Sequence, residues 1–153
     1  MQLLIGVGFS MKCNLKFNPP ENFVDYIMPP IEVIWYDTDK KKTEWKWKLL
    51  LMQPDYITEE MVNKSFDIAK KKNPDQITAK ISLLQLNEGL CIQTMHTGSY
   101  EFEKTTVTFL RKEAKKNGYE IGNDLHEVFI NDPRRTIAKK LQTIIRFSVK
   151  KIP

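Results

Sequence analysis

The run Leu125-His126-Glu127-Val128-Phe129-Ile130 decides how the second half of this chain folds, because apolar residues on both parities read as a strand buried on its two faces. Alternation puts Leu125, Glu127 and Phe129 on one face and His126, Val128 and Ile130 on the other. Glu127 is therefore a carboxylate in greasy surroundings. Such a group is costly to ionise unless a cation or a hydrogen-bond donor meets it, and an unmet one stays protonated. Two readings follow. In one, Glu127 pairs with a structural Lys, Arg or Tyr, or reaches water at a strand end. In the other, it anchors a buried cation or serves a reaction that needs an acid.

On either side of that strand the chain alternates helical and extended patterns. Leu4, Val7, Met11 and Leu15 recur at spacings of three and four, which predicts an amphipathic helix over the first sixteen residues, with Gly6 and Gly8 working against it. Asn18-Pro19-Pro20 breaks it. Beyond Pro29-Pro30, strands are expected at 31–36 and 45–53, the second presenting Trp45, Trp47, Leu49 and Leu51 on one face. Thr58 is placed to cap a helix running to Lys72, with Met61, Val62, Ser65, Phe66 and Ala69 as its inward stripe. Strands are expected again at 78–86 and 90–97, joined by a tight Asn87-Glu88-Gly89 turn. A helix over 102–117 closes at Gly118. The Glu127 strand comes next, then a short helical segment opened by Asp132-Pro133, and a last strand over 143–150. The pattern is α+β, with a mostly antiparallel sheet.

Composition narrows the function classes. The chain has 153 residues, 41% of them hydrophobic and 28% charged, which is ordinary for a globular domain with a real core. Its net charge of +5 invites a nucleic-acid reading. The lysine clusters do not organise one: Lys70 to Lys72 and Lys115-Lys116 fall in last helical turns, where cations meet the negative end of the helix dipole. The others lie in a turn, a short helix and the C-terminal end, without helix-turn-helix or aromatic RNA-binding signatures. Direct nucleic-acid binding is not expected. Cys13 and Cys91 form neither a disulfide framework nor a metal cluster, and the opening apolar stretch lacks the basic flank of a signal peptide, so a reduced cytoplasmic protein is expected, away from membranes. No phosphate-cradling glycine loop, metal spacing or nucleophile elbow occurs, so no cofactor and no metal are expected. Asp132-Pro133-Arg134-Arg135-Thr136 reads as a turn anchoring the last strand through an Asp132–arginine pair, with anion binding as the alternative.

Two longer stretches, Glu88-Gly89-Leu90-Cys91-Ile92-Gln93-Thr94-Met95-His96-Thr97-Gly98-Ser99-Tyr100 and His126-Glu127-Val128-Phe129-Ile130-Asn131-Asp132-Pro133-Arg134-Arg135-Thr136, closely resemble the stand-alone branch of the GyrI-like small-molecule-binding family. Trp47-Lys48-Leu49-Leu50-Leu51-Met52-Gln53-Pro54-Asp55 and Thr58-Glu59-Glu60-Met61-Val62 resemble the same branch, in the same order along the chain. The resemblance implies two strand-helix-strand-strand modules related by pseudo-two-fold symmetry, with a ligand cleft between them. It implies a single effector-binding domain over 1–153, in which 1–53 are the remnant of the first module and 54–153 supply a connecting helix and the second. Residues 1–15 match only the later part of a helix that an opening strand precedes in relatives. The first module is thus expected to lack that strand, and a homodimer is one way to cover the edge.

In relatives fused to MerR- or AraC-type DNA-binding regions, this domain senses lipophilic and often cationic compounds with a buried glutamate walled by aromatics. Glu127 matches that glutamate, and the resemblance points to Tyr100, Trp35, Tyr36 and Trp47 as candidate walls; Trp45 is read as core packing. Aromatic faces and a carboxylate together stabilise a delocalised cation. Some relatives without a DNA-binding region hydrolyse cyclopropane-bearing alkylating compounds, which would make Glu127 a base orienting water, or an acid, and Tyr100 a proton donor. The family's namesake instead inhibits DNA gyrase by binding it, which leaves a protein-interaction module as a third reading. His96, two residues before Gly98, is either a structural histidine or an aid to proton transfer. His126 faces away from Glu127 and is not expected to form a dyad with it.

Overall fold

Strand β5 (Leu125–Phe129) is buried on both faces because it has a neighbour on each edge. In this computed structural model, which describes residues 1–72 and 80–153, β5 pairs antiparallel with β1 (Ile31–Tyr36) on one side and with β6 (Gln142–Lys151) on the other. The sheet continues outward from β1 to β2 (Lys46–Leu51) and from β6 to β3 (Cys91–Thr97), giving the order β2-β1-β5-β6-β3. A short sixth strand, β4 (Tyr119–Ile121), pairs with the far end of β6. With the helices α1 (Gln2–Phe17), α2 (Glu59–Lys72) and α3 (Glu103–Lys116), the fold is α+β with a mostly antiparallel open sheet.

The chain condenses into two compact units, one comprising Met1–Pro29 with Leu51–Leu86 and the other Pro30–Leu50 with Asn87–Pro153. In the first, α1 and α2 pack through Met11, Leu15, Ile57 and Val62, with Phe23, Tyr56, Met61 and Ile81 around them. The spacing of Val7, Met11 and Leu15 is what makes α1 a helix with one buried face. Gly8 lies on that face because a β-carbon there would come within 2.5 Å of Leu51 Cδ2 and 3.0 Å of Met28 Cε. Thr58 Oγ1 accepts from Met61 N at 3.3 Å, which starts α2 where the sequence places its cap.

In the second unit, α3 lies on one face of the sheet. Leu110 and Ala114 pack on Leu125, Ile145 and Phe147, with Ile121, Trp35, Ile92, Val107, Tyr119 and Val149 completing the cluster. Ile145 has no solvent exposure and is the centre of this core. Gly118 ends α3 at φ +79, a left-handed position that a β-carbon disfavours.

Three expectations change. The strand expected over 78–86 does not form over 80–86: the backbone there joins no ladder, and Leu83, Leu84 and Leu86 are exposed on both parities, so no face of it is buried. Residues 78 and 79 lie outside the described residues. Its expected turn survives, with Gly89 at φ +65 and its N–H donating to Asn87 Oδ1 at 3.0 Å. Asp132-Pro133 opens turns rather than a helix: Arg135 N and Thr136 N both donate to Asp132 O, and a single 3-10 turn follows at Ala138–Lys140. Arg134 pairs with Asp132 at 2.7 Å, as the turn reading requires. β4, finally, is a strand too short to show alternation between Gly118 and Gly122, and it forms because β6 is long enough to pair with both it and β3.

Candidate functional site

The site lies wholly within the second unit, on the face of the sheet that carries α3. Glu127 stands between Val33 on β1 and Ile145 on β6 and is 5% exposed. Trp35 shares its face, two residues along β1, and the indole Nε1–H donates to Glu127 Oε2 at 2.7 Å. This is a charge-assisted hydrogen bond in a dry place, the kind of partner a buried carboxylate requires.

The second acid is Glu103, the first residue of α3. Its Oε1 is buried and receives no hydrogen bond from any described residue. Burial first, and then the Glu127 charge, push Glu103 up to about 8 against a small opposing pull from Lys42. Glu103 is thus in its protonated form at neutral pH.

Aromatic rings lie on both sides of the pair. Trp45 meets Trp35 at 6.1 Å between centroids and 57° between planes, and Lys42 Nζ sits 5.9 Å from the Trp45 ring. Phe129, one step of alternation beyond Glu127, meets Tyr100 edge to face at 6.0 Å and 81°. Tyr100 opens a 3-10 turn, Tyr100–Phe102, that runs directly into α3. Gly98 makes this turn possible with φ +136, and its N–H donates to Leu141 O at 2.9 Å. Burial, and then the negative charges of Glu103, Glu127 and Asp132, raise the Tyr100 phenol above its usual value, so it is a hydroxyl and a donor at neutral pH.

His96 holds the same turn. Its Nε2 lies 3.1 Å from Ser99 O, which can only accept, so Nε2 carries the proton and Nδ1 accepts from the Thr106 hydroxyl at 2.8 Å. Both ring nitrogens are thereby engaged in positioning Tyr100 and α3. His126 projects from the opposite face, as alternation requires, with Nδ1 2.9 Å from Glu88 Oε1 and Nε2 2.8 Å from Glu32 Oε2. Arg146 Nη1 donates to the other Glu88 oxygen at 2.8 Å, which closes a partly buried ionic network around His126, separate from Glu127.

Of the sequence-predicted site residues, the fold brings Trp35 to Glu127 and sets Tyr100 at the same cluster. It does not bring Tyr36 or Trp47 there. Tyr36 follows Trp35 on an extended strand and points to the other face, where Lys48 Nζ lies 5.9 Å from its ring. Trp47 is 60% exposed. Trp45, read from the sequence as core packing, packs at a tilt against Trp35; it precedes β2, and its Nε1–H donates to Lys40 O at 3.1 Å. Glu103 was legible only as an acid at a helix start, which the helix dipole explains without any site. Its one distinguishing signal is its place directly after the Gly98-Ser99-Tyr100 turn.

Residues 26–150 match the GyrI-like small molecule binding domain. The chain belongs to the GyrI-like family. Solved structures agree with this assignment. A conserved, uncharacterized protein from Listeria innocua is 30% identical, with a TM-score of 0.84 over 97% of this chain and 78% of that one. Two hydrolase structures from Listeria innocua, each 28% identical, superpose with TM-scores of 0.83 and 0.85 over 97% of this chain and 77% of theirs. No match is found among curated proteins. The chain is thus a GyrI-like small-molecule-binding domain. Among its described residues no helix is long and apolar enough to cross a membrane.

Proposed function

We propose that the Glu127 cluster binds a lipophilic small molecule that carries positive charge or an electrophilic centre. The observation that carries this reading is Glu127 itself, 5% exposed, held by the Trp35 indole and flanked by the Trp35–Trp45 and Tyr100–Phe129 ring pairs. A carboxylate so placed offers charge compensation to a cation, while the rings offer apolar area and negative π faces. Lys42 stands at the Trp45 ring, where a ligand cation would compete with it.

Hydrolysis is the second reading, supported by the two hydrolase structures and by the arrangement of proton donors. Glu127 would orient and deprotonate water, or act as the acid, while Tyr100, still protonated at neutral pH, would donate a proton or position the substrate.

Glu127→Gln separates the two. A thermal-shift screen of lipophilic cations and of electrophilic compounds against wild type and variant, followed by mass spectrometry of the hits, reads both binding and turnover. Stabilisation by cations that vanishes in the variant, without product, supports binding alone. Product formation lost in a variant that still binds supports hydrolysis. Compounds that stabilise wild type and variant equally would remove Glu127 from the site.

A further inference from the structure

We propose that Lys42 is the charge filter of the Glu127 site: its ammonium stands at the aromatic wall of the free protein as a resident positive charge, which opposes an incoming cation and not a neutral ligand of similar shape. The proposal rests on the binding reading above and deepens it, by naming the residue that sets how far positive charge favours a ligand.

The turn between β1 and β2 presents this lysine. Asp37 lies in the left-handed region at φ +62 and pairs with Lys40 Nζ at 3.3 Å and Lys46 Nζ at 3.9 Å. Thr38 N donates to Asn123 O at 3.2 Å, which ties the turn to the segment that enters β5. The chain then makes a single 3-10 turn, Lys42–Glu44, and Trp45 follows it. Residues three apart eclipse in such a turn, so Lys42 comes over Trp45, with Nζ 5.9 Å from the ring centre. The Trp45 indole is fixed in turn by donating to Lys40 O at 3.1 Å, and it meets Trp35 at 6.1 Å, whose own indole donates to Glu127 at 2.7 Å. A line of contacts thus runs from the Lys42 ammonium to the buried carboxylate.

Lys42 differs from its neighbours in having no acid of its own. Lys40 and Lys46 share Asp37, whereas Lys42 makes no ion pair among the described residues. Its charge is also felt by Glu103, where it favours the ionised carboxyl against burial. The side chain is exposed, and a cation over an exposed ring is held weakly, so it can swing into water without unpacking the core. A ligand cation that takes the Trp45 ring must turn the ammonium away, and it is repelled by that ammonium for as long as the two remain close. A neutral aromatic ligand meets no such repulsion.

Tetraphenylphosphonium is a suitable probe, because it is lipophilic, aromatic and permanently charged; triphenylphosphine oxide is its neutral control. Isothermal titration of both against wild type, Lys42→Met, Lys42→Arg and Glu127→Gln reads the filter. Lys42→Met keeps an unbranched apolar stem and loses the charge, and it should bind the phosphonium about three- to tenfold more tightly than wild type. Lys42→Arg keeps the charge and should stay within about twofold of wild type. Affinity for the phosphine oxide should be the same in wild type and both Lys42 variants. A Lys42→Met protein that binds the phosphonium no more tightly than wild type, or that gains as much for the phosphine oxide, would overturn the filter; loss of phosphonium binding in Glu127→Gln would still leave the binding reading standing. Phosphonium binding that is absent, or unchanged in Glu127→Gln, would overturn both.

Discussion

Glu103→Gln should stabilise the protein near neutral pH, and the size of the effect follows from the site. In the unfolded chain Glu103 loses its proton around 4.5, whereas in the folded protein it keeps it up to about 8. Between those values the native state binds a proton that the unfolded state does not, so stability falls steadily as pH rises and becomes level above about 8. At about 1.4 kcal/mol per pH unit, this costs on the order of 3 kcal/mol by pH 7. Glu103 is only partly buried, and solvent screening lowers the figure to about 2 kcal/mol. Glutamine has the same shape and does not titrate. The variant should therefore gain about 2 kcal/mol at neutral pH, or roughly 4–8 °C in Tm for a chain of this size, and gain nothing near pH 4.5. Urea denaturation of both proteins across that range measures it directly. A variant that is no more stable than wild type at neutral pH, or that shows the wild-type slope with pH, would refute the raised Glu103 carboxyl.

Further expectations concern the groups around that pair. His126 is depressed by burial but held above 6.5 by its hydrogen bonds and charges from Glu32 and Glu88. Its contribution is therefore full below 6.5 and is lost as pH rises through its raised native value. His126→Gln should cost about 3 kcal/mol at mildly acidic pH and clearly less in alkaline buffer, read by urea denaturation at both. Glu88 is pushed up by burial but brought below 4.5 overall by Arg146 and His126, so its contribution is present above 4.5 and lost only as pH falls through its lowered native value. Glu88→Gln should accordingly be most destabilising at neutral pH, and a variant equally destabilising at pH 3 would contradict the network. Trp35→Phe removes the donor that meets Glu127 Oε2 among the described residues and should cost about 1.5–3 kcal/mol; an unchanged urea midpoint would show that the indole N–H does not hold the carboxylate. Gly118→Ala forces a β-carbon into the left-handed C-terminus of α3 and should lower stability by about 1–2 kcal/mol in the same assay.

The sequence by itself determined that β5 is an inner strand, since Leu125, Val128 and Phe129 leave it no wet face, and that Glu127 and His126 face opposite ways, since a pleated strand alternates. It also determined α1, α2 and α3 to within a few residues, from apolar spacing and from the caps at Thr58 and Gly118. These are local properties, set by neighbours along the chain. It failed for the segment 80–86, which has the composition of a strand but no ladder partner among the described residues, and for β4, which is a strand only because β6 extends past β3. Of the residues that cluster around Glu127 it singled out Glu127 itself, and through family resemblance Trp35 and Tyr100. Only the tertiary structure decided that Trp45 rather than Trp47 joins Trp35, and that a helix-starting glutamate twenty-four residues before Glu127 comes near enough to feel its charge. The charge that one carboxyl feels from another depends on a through-space distance and on the exclusion of water, and neither is written in the order of the residues.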